Sequence, residues 1–155
     1  MESGADSPLK LRARDAEDLA VVSAMLQDAI VPFGDIAFLP DEKSFVLALN
    51  RYRWEQPEND SRQERIHAGL RFDDVERVRY SGLDLKNRSS FLSLLSLEHQ
   101  PAEKSPNRIM LYFSGGGKIC LEIKMISCLL SDFGAAWPTQ WRPDHEGPDA
   151  NEGND

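Results

Sequence analysis

The chain has 155 residues, enough for one domain that buries a core without help from disulfides or metal. Hydrophobic residues make up 41% and charged residues 28%, which is the balance of a globular domain and not of a disordered chain. The net charge of −8 argues against a general nucleic-acid or anionic-membrane binder, since such binding is carried by basic surface.

The acidity is uneven. The last segment, "DHEGPDANEGND", holds Asp144, Glu146, Asp149, Glu152 and Asp155 and no Lys or Arg. Residues 144–155 read as an acidic disordered tail, residues 1–9 as a small, polar disordered N-terminus, and residues 10–143 as one domain. The N-terminal stretch lacks the apolar run of a signal peptide, and no window has the apolar length of a membrane span. The two cysteines, Cys120 and Cys128, follow no disulfide-framework spacing. A reduced, cytoplasmic setting is the expectation.

In chain order, "RDAEDLAVVSAMLQDAI" predicts a helix. Asp15 can cap it, Glu17 and Asp18 suit its first turn, and Leu19, Val22, Leu26, Ala29 and Ile30 recur at helical spacing. Pro32 and Gly34 end it. "DIAFLP" predicts a short strand, "PDEK" a turn, and "SFVLALNRYRW" a longer strand whose apolar run, Phe45 to Leu49, suggests partial burial on both faces. "RIHAGLRFD" alternates, with Ile66, Ala68, Leu70 and Phe72 on one face and Arg65, His67 and Arg71 on the other. "VERVRYSGL" alternates again after a tight turn at Asp73-Asp74. "FLSLLSLEH" is ambiguous, and its second half is taken as a strand.

"RIMLYFSGGGKICLEIK" predicts a hairpin. Ile109, Leu111 and Phe113 share one face, Ile119, Leu121 and Ile123 share the matching one, and three glycines make the turn. "MISCLLSDFG" predicts a terminal helix, with Ile126, Leu129, Leu130 and Phe133 on one face and Gly134 as its cap. The expected fold class is therefore α+β: a mainly antiparallel sheet of about seven strands with an N-terminal and a C-terminal helix, analogous to the pleckstrin-homology-like barrel.

Little in this pattern looks like catalysis. Gly115-Gly116-Gly117-Lys118 is not a P-loop: the glycine spacing, the Ser/Thr after the lysine and the following helix are all missing. The glycines read as turn residues that allow positive φ. His67, His99 and His145 are far apart and fit no metal-ligand spacing, so neither a metal nor a cofactor is expected. "FSGGG" lacks the first glycine of a serine-hydrolase elbow. No catalytic residue is assigned.

One constellation does suggest binding. "NRYRWE" puts Arg51 and Arg53 on one face of a strand end and Tyr52 and Trp54 on the other. If the next strand lies alongside, Arg51, Arg53, Trp54, Arg65, His67 and Arg71 form a basic, aromatic strip, continued by Arg77 and Arg79. The plainer alternative is local neutralisation by Glu55, Glu64, Asp73, Asp74 and Glu76.

At "DAEDLAVVSAMLQDAIV", "LALNRYRWE" and "FSGGGKICLEI" the chain resembles a family of short alphaproteobacterial proteins catalogued only as a domain of unknown function. The resemblance spans roughly residues 10 to 143. It implies a bacterial cytoplasmic protein with a single domain, and it supplies no activity, cofactor or catalytic residue. The leading expectation is a non-enzymatic module that binds a protein partner or itself through the strip. A small-ligand domain for an anionic metabolite or nucleotide is the alternative, and a motif-free hydrolase using His67 or a carboxylate is a third.

Overall fold

The protein is seen in a computed structural model that describes residues 8–56, 63–101, 103 and 106–138, and of 135–138 the backbone alone. Ten strands and one α-helix follow one another: β1 (Lys10–Ala13), α1 (Ala16–Met25), β2 (Ala29–Pro32), β3 (Ile36–Leu39), β4 (Ser44–Tyr52), β5 (Glu64–Phe72), β6 (Val75–Ser81), β7 (Phe91–Gln100), β8 (Asn107–Phe113), β9 (Lys118–Ile123) and β10 (Cys128–Pro138). They form one sheet in the order β1-β10-β5-β4-β2-β7-β8-β9-β6, with β3 beside the first half of β4. Every pairing is antiparallel.

This sheet curls on itself. β5 and β6 lie far apart in the strand order, yet only Asp73 and Asp74 join them. The far end of the sheet must come back to the β5 end, as when a strand turns the corner between two packed layers. Three backbone bonds hold that corner: Asp73 N–H to Ser127 O (2.9 Å), Lys124 N–H to Asp74 O (3.0 Å) and Val75 N–H to Lys43 O (2.9 Å). Asp74 turns there with φ at 58°.

Period-2 patterning supplies the core between the layers. Phe45, Leu47 and Leu49 of β4 and Ala68, Leu70 and Phe72 of β5 meet Ile109, Leu111 and Phe113 of β8 and Ile119, Leu121 and Ile123 of β9 in one buried cluster. Each large side chain so buried stabilises the fold by roughly 1.5–3 kcal/mol. The helix packs beside β1 and β7. It is capped by Asp15, whose Oδ1 accepts the Asp18 N–H at 2.8 Å, and it buries Leu19 and Val22. Beyond the β2 pairing, Ser23 Oγ accepts the Leu97 N–H (2.9 Å), so α1 satisfies an edge of β7 that no strand covers among the described residues.

The α+β expectation, with about seven strands and two helices, is overturned. Residues 128–138 form β10, paired with β5 on one side and β1 on the other. A short apolar run fits either a helix or a strand, and its neighbours decide. A helix would bury Phe133 with Leu129 and Leu130, whereas the strand turns Cys128, Leu130 and Asp132 inward and leaves Phe133 half-exposed. The analogy to the pleckstrin-homology-like barrel relied on that terminal helix and falls with it. Gly134, expected as a helix cap, instead takes φ +73° at the irregularity between Phe133 and Trp137, where β10 gains residues relative to β5.

The first helix is shorter than its spacing suggested, because Ala29 and Ile30 belong to β2. β1 carries only a weak signal in the sequence, since Leu9, Leu11 and Ala13 alternate with charged residues over a short span. Leu9 packs against the core and exchanges two hydrogen bonds with Asp132. The N-terminus expected to be disordered, residues 1–9, lies outside the described residues except for Pro8 and Leu9, and the acidic tail, residues 144–155, lies wholly outside them.

Candidate functional site

The expected strip is divided between the two faces of its layer. Arg51 is the last residue on the core face of β4, in line with Phe45, Leu47 and Leu49 and opposite Ile66 of β5. Its side chain is 0% exposed and lies between two carboxylates. Nε and Nη2 donate to Asp132 Oδ1 (2.9 Å) and Oδ2 (2.8 Å). Nη1 and Nη2 donate to Glu55 Oε1 (2.9 Å) and Oε2 (2.8 Å). Burial alone would lower the guanidinium's pKa, and the two carboxylates outweigh it, raising it above the ordinary arginine value. Glu55 shows the complementary effect: burial pushes its carboxyl up, but hydrogen bonding and charge from Arg51 leave it below its ordinary value. Arg53, also buried, donates to Glu64.

The other four residues lie on or beside the outer face. Arg65 donates to Asn50 Oδ1 (2.9 Å), and burial lowers its pKa, with Asp28 and Tyr52 pulling the other way. His67 sits opposite Phe133 in the β5–β10 register, and the two rings stack at 5.7 Å. Trp54 meets Tyr52 edge-on at 4.8 Å and donates Nε1–H to Gln27 O (2.9 Å). Arg71 bonds Asp73 (2.9 Å) and Ser44 Oγ (2.8 Å) and reaches Glu42 at 3.3 Å. Arg51, Arg53 and Arg71 are thus held by carboxylates of this chain.

A second polar face was not singled out as a unit in the sequence. On the outside of β7-β8-β9-β6 the registers set three rows across the strands: Ser96-Tyr112-Lys118-Ser81, Glu98-Met110-Cys120-Arg79, and Gln100-Arg108-Glu122-Arg77. Opposed Cα atoms in such rows are about 4.5–5.5 Å apart. Cys120, the small residue of the middle row, has long neighbours on every side, so an open groove of about 470 Å³ lies over it. Arg79, Arg108 and Lys118 line this groove, with Tyr112, Met110 and Glu122.

The face carries four cations and two carboxylates on a chain of net charge −8. Arg79 lies 3.4 Å from Glu122. Among the described residues, Arg77, Arg108 and Lys118 make no ion pair. At the acidic side, the Tyr112 hydroxyl donates to Glu98 (2.8 Å), and Gln100 Nε2 donates to both Glu98 (3.0 Å) and the Tyr112 oxygen (3.1 Å). That bond to Glu98 raises the phenol's pKa. Burial pushes the Cys120 thiol above its ordinary value, with Arg108 and Arg79 pulling down and Glu122 up. The groove therefore presents fixed positive charge over a protonated thiol, which suits holding an anion better than nucleophilic attack.

The glycine turn finishes the β8–β9 hairpin beside this face. Gly115 and Gly116 take φ +84° and +91°, and Phe113 N–H donates to Gly117 O (2.9 Å). A Cβ on Gly117 would lie 2.3 Å from the Leu83 side chain. The run is thus required by turn geometry and close packing, and Lys118 begins β9 on the outer face opposite Tyr112. His99 Nε2 bonds Asn107 Oδ1 (2.7 Å), and His145 lies outside the described residues. No three His, Cys, Asp or Glu residues converge as a metal site among the described residues. No helix among them is long and apolar enough to cross a membrane.

Fold and site together define an antiparallel β-domain with a cationic sheet face. The chain belongs to the DUF2948 family of proteins of unknown function, whose model matches residues 9–145. Neither a curated protein nor a solved structure matches it.

Proposed function

We propose that this domain is a non-enzymatic recognition module of the bacterial cytoplasm that takes an anionic segment of a protein partner on the outer face of β6, β9 and β8. One observation carries the reading: this face sets Arg77, Arg79, Arg108 and Lys118 against two carboxylates, Glu98 and Glu122, on an acidic protein, and of the four cations Arg79 alone is ion-paired among the described residues. Such a field attracts anions and rejects cationic competitors. Two free cysteines suit a reducing compartment. The expected strip supports recognition less well, since three of its arginines are already held by carboxylates. A small anionic metabolite is the second reading, favoured by a groove whose volume lies within the range of small-molecule sites.

Amide NMR titration with tripolyphosphate and with hexaglutamate tests the proposal. Shifts should centre on Arg79, Arg108, Lys118 and Cys120, should weaken with added salt, and should vanish in R79E/R108E. Shifts centred elsewhere, or unchanged in that variant, overturn it. A marked preference for the compact phosphate over the peptide moves the reading to a small ligand.

A further inference from the structure

Among the described residues, β6 is the last strand of the sheet and pairs only with β9. Its other side begins at the β3–β4 turn, where Val75 N–H donates to Lys43 O (2.9 Å). Beyond that point, among the described residues, Glu76 to Ser81 have no backbone partner on that side. Alternate residues of an antiparallel strand direct their N–H and C=O groups to opposite neighbours, so about half of those on this stretch have only water to bond.

The two surfaces beside this edge differ. Arg77 and Arg79, both exposed, stand on the outer face two residues apart, about 7 Å along a strand. Val78 and Tyr80 lie on the inner side, at the rim of the core, with Tyr80 36% exposed. Past Glu76, which pairs with Lys43, an added strand would therefore meet positive charge at Arg77 and Arg79 and apolar surface at Val78 and Tyr80 between and beside them. A second copy of the chain fits poorly. Centring an antiparallel pair on Val78 would set Arg77 of one copy against Arg79 of the other, and like charges directly opposite repel. The same arginines protect a bare edge from indiscriminate pairing.

We infer that β6 is a strand-addition site: it accepts an extended peptide segment in which acidic and apolar residues alternate, adding one strand to the sheet beside Arg77 and Arg79. Main-chain bonds to the edge give the affinity, and the alternation gives the specificity. This rests on the anionic-recognition reading and adds to it the conformation and patterning of the partner.

The test uses the full chain and a seven-residue probe, the length of β6, that alternates glutamate and valine. Two further versions carry N-methyl groups on alternate residues, one in each phase. Affinity is measured by calorimetry. The expected result is binding of the plain probe, at least a tenfold loss with N-methylation in one phase, and little change in the other. Equal binding of all three peptides, or equal loss in both phases, overturns strand addition while leaving anion recognition standing. If no peptide binds but tripolyphosphate still shifts the Arg79 and Lys118 amides, strand addition alone fails. If neither probe binds, the recognition reading fails with it.

Discussion

Replacing Arg51 by Met asks what the buried ion cluster does for the fold. Methionine keeps much of the volume and the inward direction on β4, so the main loss is charge. Asp132, with its side chain 1% exposed, would keep only the Leu9 N–H (2.8 Å) as a hydrogen-bond donor. Glu55, 30% exposed at its side chain, can turn to water. Breaking a buried pair by removing one partner costs about 3–5 kcal/mol. That is a large part of the roughly 5–15 kcal/mol that holds a domain folded. At about 2–4 °C per kcal/mol for a domain of this size, the melting temperature should fall by roughly 6–20 °C. Urea unfolding, followed by tryptophan fluorescence and by circular dichroism, gives the free energy and checks that the two probes coincide. The double variant R51M/D132L removes the buried charge as well, and should recover part of the loss even though the Leu9 N–H is left without its acceptor. A loss below about 1 kcal/mol for R51M, or a double variant no more stable than R51M, refutes the reasoning.

Acid should destabilise the domain through Glu55 and Asp73. Both carboxyls lie below their ordinary values in the fold: burial raises each, but Arg51 outweighs it at Glu55, and Ser44 and Arg71 outweigh it at Asp73. A depressed carboxylate contributes stability above its unfolded pKa, about 4.3 for glutamate and 3.9 for aspartate, and loses it as pH falls through the folded value. Stability measured from pH 7 to pH 3 should fall at the acid end, and E55Q should flatten that fall; an equally steep curve in the variant counts against the assignment. Thiol labelling should separate the cysteines. Burial, with Asp73 nearby, pushes Cys128 up to about 12, while Cys120 is partly exposed and raised less. One thiol should react in the native protein and two in urea, with the native site mapped to Cys120 by mass spectrometry. Fast labelling of Cys128 would show that β10 is not packed as described.

The sequence by itself determined the alternating strands. Period-2 patterning placed Ile66, Ala68, Leu70 and Phe72 inward on β5 and laid out the β8–β9 hairpin, because a strand buried on one face must alternate. Asp15 announced its helix, because a carboxylate suits the unpaired N–H groups of a first turn. It also put Arg51 and Tyr52 on opposite faces, since neighbours on a strand always are. Which face looked inward was decided only by the tertiary structure. Arg51 is polar, yet Asp132 waits on the core face of β10, more than eighty residues away, and no local pattern encodes that meeting. β10 was decided in the same way: its apolar spacing suits a helix, but the edges of β5 and β1 needed a partner, and two neighbouring ladders outweigh a local preference. The cationic face came from the same source. Arg79, Arg108 and Lys118 are spread over some forty residues, and only the β6-β9-β8 register, with its free edge at β6, sets them around Cys120.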